Sequence, residues 1–170
     1  MAVVTMFVNG QAMSGGTLND ALANARFVGK VDTAPLYRFY SVRDEFPGLH
    51  PVVEGGVAVT GELYEVEYDV LREELLPREP SELELGVILL ADGRGSLAMR
   101  MREQALTAPG VTDISDHGGW LAYRGVSAMS ERATSTAGPL ARAGAERSER
   151  AVGTAAHAVI LEPSASELEA

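Results

Sequence analysis

Residues with the types and spacing to do chemistry fall in three places. The first is Asn9-Gly10-Gln11-Ala12-Met13-Ser14-Gly15-Gly16, which follows an apolar run at 4–8 and precedes a helix-like segment at 17–25. A strand passing through a glycine-bounded loop into a helix start aims several backbone N–H groups at one point, which suits a carboxylate or phosphate. The same glycines also serve a plain tight turn. The Lys-Ser/Thr ending of a nucleotide P-loop is missing.

The second place is the acidic stretch Glu73-Glu74-Leu75-Leu76-Pro77-Arg78-Glu79-Pro80-Ser81-Glu82-Leu83-Glu84. Glu73 and Glu74 read as solvated helix-surface acids. Glu79 and Glu82 lie between prolines and an incoming apolar strand, where a shielded carboxylate acquires a raised pKa and trades protons near neutrality. The competing reading is an ordinary surface-loop acid. The third place is Asp113-Ile114-Ser115-Asp116-His117-Gly118-Gly119-Trp120. It reads either as a proton relay on His117 or as a closing turn in which Trp120 caps the core, with no nucleophile beside the histidine. His50, His117 and His157 are too scattered for a histidine metal cluster, and the absence of cysteine excludes thiolate sites, disulfides and cysteine nucleophiles.

These groups must be positioned by a chain of 170 residues, enough for one core that stands without staples. Fourteen basic residues against 24 acidic ones give a formal net charge of -10, the wrong sign for nucleic acid or an anionic membrane surface. Apolar runs such as Val87-Ile88-Leu89-Leu90 are too short to span a bilayer, and no basic region precedes the first of them. A cytoplasmic protein is expected.

The texture changes near residue 125. Residues 1–125 alternate short apolar runs with turn signals, whereas 126–170 are an Ala/Ser/Gly-rich tail, read as a helix near 129–143 or a disordered extension. Only Ala158-Val159-Ile160-Leu161 in the tail is apolar enough to dock. Strands are predicted at 2–8, 27–31, 36–42, 57–66, 85–91 and 96–101, with helices at 17–25 and 68–76. Pro47-Gly48 and Gly55-Gly56 read as turns, and Asp92-Gly93-Arg94-Gly95 as a hairpin. The apolar positions of 57–66 switch face at Gly61, which suggests a bulge or barrel corner. The class is α+β, a small mixed β-barrel with flanking helices.

In this order the pieces resemble the γ-glutamylcyclotransferase-like superfamily, and within it the C-terminal domain of allophanate hydrolase. The resemblance covers roughly residues 4–124 and rests on several motifs. Residues 10–19 carry a Gly-x-x-x-Ser-Gly-x-x-Leu-Asn pattern. The others are Thr33-Ala34-Pro35-Leu36-Tyr37-Arg38-Phe39-Tyr40, Pro47-Gly48-Leu49, Leu85-Gly86 leading to Asp92-Gly93-Arg94, and Thr112-Asp113-Ile114 with Gly118-Gly119-Trp120.

The resemblance implies a barrel whose mouth holds a substrate carboxylate on the backbone of residues 10–13. Cyclotransferases of this kind use one glutamate as general acid/base. Its spacing falls near Glu79, with Glu82 second, and the products are 5-oxoproline and a free amine. Allophanate hydrolase C-terminal domains resemble processors of an N-carboxylated urea compound that use a first-loop histidine. That position is Ala12 here, so His117 or an acid would have to substitute. The cyclotransferase loop, aromatic-Gly-Thr-Leu, reads Asn9-Gly10-Gln11-Ala12.

The leading reading is therefore a cofactor-free, metal-free enzyme acting on a carboxylate-bearing amide or ureido substrate. Glu79 and Glu82 are its catalytic candidates, and Asn9, Gly10, Gln11, Ala12, Met13, Tyr37, Arg38 and His117 its ligand-binding candidates. Strand alternation lets only one of Tyr37 and Arg38 face inward. Two alternatives stand beside it: allophanate-type processing in partnership with a separate amidase, and a non-catalytic ligand-binding protein. A homodimer is compatible with each.

Overall fold

The computed structural model describes residues 2–125. The expected tail helix and the run Ala158-Val159-Ile160-Leu161 lie outside the described residues. Eight strands make one mixed sheet: β1 (Val3–Val8), β2 (Arg26–Asp32), β3 (Tyr37–Val42), β4 (Phe46–Pro51), β5 (Thr60–Glu67), β6 (Leu83–Leu89), β7 (Gly95–Met101) and β8 (Val111–Asp113).

The sheet forks at β7. One edge of β7 pairs with β6 from Leu83↔Met101 to Leu89↔Gly95. The other edge is shared between two parallel partners, β1 at Leu97 and Ala98 and β4 at Arg100. From the fork one arm runs β1-β5-β2 and the other β4-β3-β8. The first arm curls back on β6: Thr33 bridges Leu90, the Ala34 N–H donates to Leu89 O at 2.9 Å, and the Ala91 N–H donates to Asp32 O at 2.9 Å. The result is a curled half-barrel, which removes strand edges that would otherwise be open.

Met6, Phe7 and Val8 are all buried because β1 has a core on each face. Phe7 joins Phe39, Leu49, Leu63, Ala98, Ile88 and Trp120 inside the curl. Met6, Val8, Tyr64 and Val66 pack outside it, against Leu22 from the first loop and Leu71 and Leu75 from a helical segment. That segment begins as α1 (Tyr68–Val70), widens into a π turn (Leu71–Leu75) and tightens to a 3-10 turn (Leu76–Arg78). Pro77 and Pro80 bar any extension, so the chain turns there into β6.

Local signals mislead at several points. The expected helix at 17–25 is one 3-10 turn, Asn19–Leu22, with no side-chain cap. Thr17 Oγ1 is spent on Gln11 Oε1 at 3.3 Å and Asn19 Nδ2 on Ala12 O at 2.9 Å, so neither caps. Pro47-Gly48 is not a turn but the body of β4, where Gly48 leaves room for Met101 and Leu83. The turn lies before it, at Arg43 and Asp44, both with positive φ. Gly61 is in register opposite Val31, and it is needed because a Cβ there would sit 2.5 Å from the Phe7 ring. The bulge lies across the pair, between Phe27 and Gly29. The strand expected from residue 57 starts at Thr60, since Val57 bridges Tyr37 on the other arm.

Candidate functional site

A cavity opens at the fork, where β1 ends and β4 begins on the same edge of β7. Its walls are Met6, Phe7, Val8, Leu18, Phe46, Pro47, Pro80, Leu83 and Met99 on the apolar side. Its polar lining is Asn9, Gly10, Gln11, Ala12 and Glu79. The room open to the centre of a water-sized sphere is ≈ 40 Å³, space for a few waters or one small solute.

The loop that lines the cavity leaves donors free. The carbonyls of Gly10, Gln11 and Ala12 are taken up within the loop, by Met13 N–H (3.0 Å), Leu18 N–H (2.9 Å) and Asn19 Nδ2 (2.9 Å). The N–H groups of the same three residues find no acceptor among the described residues. Successive N–H groups freed in this way are an acceptor-binding surface. Gly10 is required by close approach, since a Cβ there would lie 2.5 Å from Pro47 Cδ.

Beneath the loop lies an anchor that sequence reasoning missed. Glu62, 2% exposed, accepts the Ser14 N–H (2.7 Å), the Ser14 hydroxyl (2.9 Å) and the Tyr64 hydroxyl (3.0 Å), all on Oε2. Asn19 Nδ2 reaches the Tyr64 oxygen at 3.3 Å. A buried carboxylate is tolerated when donors of this kind surround it. The sequence signal was a glutamate at the same parity as the apolar Tyr64 and Val66.

Glu79 follows the 3-10 turn in extended conformation. Its half-buried carboxyl is pushed up to about 7 by burial alone. The preceding Arg78 holds the segment against the first loop through Asp20, at 2.9 and 3.0 Å, and keeps the Asp20 carboxyl below its ordinary value. Asn9 is 8% exposed and its Nδ2 has no hydrogen-bond partner.

The remaining candidates lie elsewhere. Glu82 accepts from Arg43 at 2.8 Å, which holds its carboxyl below the usual range, so it is an ionised structural partner. Tyr37 is in the core, its hydroxyl accepting the Leu89 N–H at 2.8 Å. Arg38, on the opposite parity, pairs with Asp113 at 2.7 Å. Met13 and His117 line a second groove of ≈ 270 Å³ with Lys30, Thr60 and Trp120. There the His117 ring meets Tyr123 edge-on at 5.1 Å. Among the described residues no group of three or more His, Cys, Asp or Glu could hold a metal ion, and no helix is long and apolar enough to cross a membrane.

A forked, curled mixed sheet with a loop-and-acid cavity is a γ-glutamylcyclotransferase-like fold. An AIG2-like protein from mouse shares it at 20% identity, with a TM-score of 0.52 over 65% of this chain and 86% of that one. The match to the family model "allophanate hydrolase C-terminal domain" covers residues 4–125, and the chain belongs to that family. A uropathogenic E. coli-specific protein is 33% identical over 74% of this chain and 98% of its own, with a TM-score of 0.68. The allophanate hydrolase of Kluyveromyces lactis is 26% identical with a TM-score of 0.69, over 74% of this chain but only 22% of its own. No curated protein matches the chain. Family and fold support a small-molecule enzyme fold.

Proposed function

We propose that the fork cavity takes a small N-carboxylated ureido or amide compound and releases carbon dioxide from it, with Glu79 as the proton donor. The observation that carries this reading is a solitary half-buried carboxyl, raised to about 7, facing a cavity otherwise lined by donors and apolar groups. Near neutrality Glu79 is protonated in a large fraction of molecules. It gives its proton to the nitrogen that bears the carboxylate. The bond from that nitrogen to the carboxyl carbon breaks, its electron pair stays on nitrogen, and carbon dioxide leaves. Glu79 regains a proton from water. Apolar walls at Met6, Phe46 and Leu83 disfavour the charged carboxylate and tolerate neutral carbon dioxide, which assists the step. The free N–H groups at 10–12 suit the far carbonyl. With Ala12 in the first loop, Glu79 is the titratable group in the cavity lining. The compound would be supplied by a separate amidase.

A second reading, cyclising release of 5-oxoproline from a γ-glutamyl amine, draws support from the position of Glu79 between the helical segment and β6. It needs more room and the opposite protonation state, because Glu79 must then accept the α-amine proton before passing it to the leaving amine. Carbon dioxide release from an N-carboxylated urea, and amine release from a γ-glutamyl amine, measured side by side from pH 5.5 to 8.5 (roughly 1.5 units either side of the Glu79 value), separate the two. Decarboxylation falls as pH rises through about 7, whereas cyclisation falls as pH drops through it. Decarboxylation that persists in Glu79→Gln would refute the assignment.

A further inference from the structure

We infer that the Asn9 carboxamide is a specificity-determining group of this cavity, reading the oxygen of a neutral carbonyl whose carbon is bonded to the nitrogen facing Glu79. The inference rests on the proposed use of the cavity and narrows its ligand to compounds presenting an H–N–C=O edge.

Asn9 is more than nine-tenths buried, lies in the cavity wall, and has an Nδ2 with no hydrogen-bond partner. Buried carboxamides in folded proteins almost always find partners, so an orphan at a cavity wall is a donor kept for something that is not protein. Its surroundings favour a neutral acceptor. No Lys or Arg side chain lines the cavity, and the donors there are uncharged: the carboxamide and the N–H groups at 10–12. Uncharged donors in an apolar cavity suit a carbonyl better than a second full negative charge. The other polar group in the wall, Glu79, accepts an N–H when ionised and donates when protonated. An amide, ureide or carbamate meets both groups with one planar edge, its oxygen toward Asn9 and its nitrogen toward Glu79. A simple dicarboxylate meets only the first.

An orphan donor leaves a signature that a merely structural asparagine does not. Removing it should relieve the free protein while harming binding. The test is calorimetric titration with N-carbamoylglycine, and with 4-oxopentanoate as the isostere whose CH₃ and CH₂ replace both N–H-bearing groups beside the carbonyl. Both are run on the whole protein at a pH about one unit above the Glu79 value, and melting temperatures are recorded in parallel. Wild type should bind N-carbamoylglycine about tenfold more tightly than 4-oxopentanoate. Asn9→Leu should melt at or above the wild-type temperature yet bind N-carbamoylglycine at least about tenfold more weakly. Asn9→Asp, which keeps the shape and replaces the donor by an acceptor, should lose binding as well. Should Asn9→Leu fail to fold, Asn9→Asp carries the test. The inference is overturned if wild type binds neither probe at millimolar concentration, if both probes bind equally, or if Asn9→Leu melts lower while binding unchanged. Because these readouts need no turnover, absence of decarboxylation would refute the proposed reaction and leave this result standing.

Discussion

Two polar regions of the half-barrel handle their hydrogen bonds in opposite ways. Around Arg38, Asp113, Ser115 and Tyr123 the polar groups meet one another. Arg38 grips Asp113, the Ser115 N–H caps Asp113 at 2.9 Å, the Phe39 N–H donates to Ser115 Oγ at 2.9 Å, and Tyr123 donates to Asp44. In the fork cavity the Asn9 carboxamide, three loop N–H groups and the Glu79 carboxyl find no such partners. Both regions are rich in residues that do chemistry elsewhere. The difference is satisfaction: a closed network stabilises, while an open one stores binding capacity at the expense of the free protein. His117 and Trp120 therefore read as part of the wall of a separate groove, and the chemistry is sought at the fork.

Substitutions in each region test that contrast. The largest effect is expected at Glu79. Glu79→Gln should lower kcat for carbon dioxide release by about 10²–10⁴-fold, the usual worth of a positioned acid, in a direct assay of released carbon dioxide. A wild-type rate in that variant would dissolve the distinction between the regions. Next comes the loop anchor. Glu62→Leu removes the acceptor of the Ser14 N–H and the Tyr64 hydroxyl, and should cost roughly 1–3 kcal/mol of stability by urea unfolding.

The pH dependence of stability follows in size. The Glu79 pKa is raised from 4.5 in the unfolded chain to about 7 in the fold, so between those values the native state binds more proton than the unfolded state. Its contribution to stability is therefore fully present below about 4.5 and is lost as pH rises to about 7. The upper bound is roughly 3 kcal/mol, reduced by the solvent that still reaches a half-buried group. Wild-type melting temperature should fall across that window, and Glu79→Gln should flatten the fall. The smallest effects belong to the satisfied region. Arg38→Ala removes a partly exposed pair and should cost at most about 1 kcal/mol, with turnover within about twofold of wild type, as for His117→Ala. A large loss of turnover in either would move the site to the groove.

Much of this was legible residue by residue. The run ending at Val8, the Asp92-Gly93-Arg94-Gly95 hairpin, and the likeness of residues 10–19 to a family loop all reflect short-range chemistry, and the structure keeps them. β4 was not legible, because Pro47-Gly48 has turn composition. Its place in the sheet comes from the ladder with β3, and the close approaches of Gly10 to Pro47 and of Gly48 to Met101 and Leu83 fit those residues there. The turn at Arg43 and Asp44 was hidden for the converse reason, two positive φ values without a glycine or asparagine to announce them. Glu62 drew no attention in the sequence, because its burial follows from both faces of β5 being covered.

From the sequence alone came six of the eight strands, the family likeness, and the pairing of an N–H-rich loop with an acid some 70 residues later (roughly the separation of Gly10 and Glu79). Those depend on backbone propensity and local pattern, which neighbours in the chain dictate. Which acid faces the loop, and which polar groups go unpaired, were decided only in three dimensions. Glu79 and Glu82 stand three residues apart with similar flanks, yet Arg43, brought near by the β3–β4 turn, claims one and leaves the other to burial. A carboxyl's proton affinity is set by what folding places around it, and no local stretch of chain encodes that.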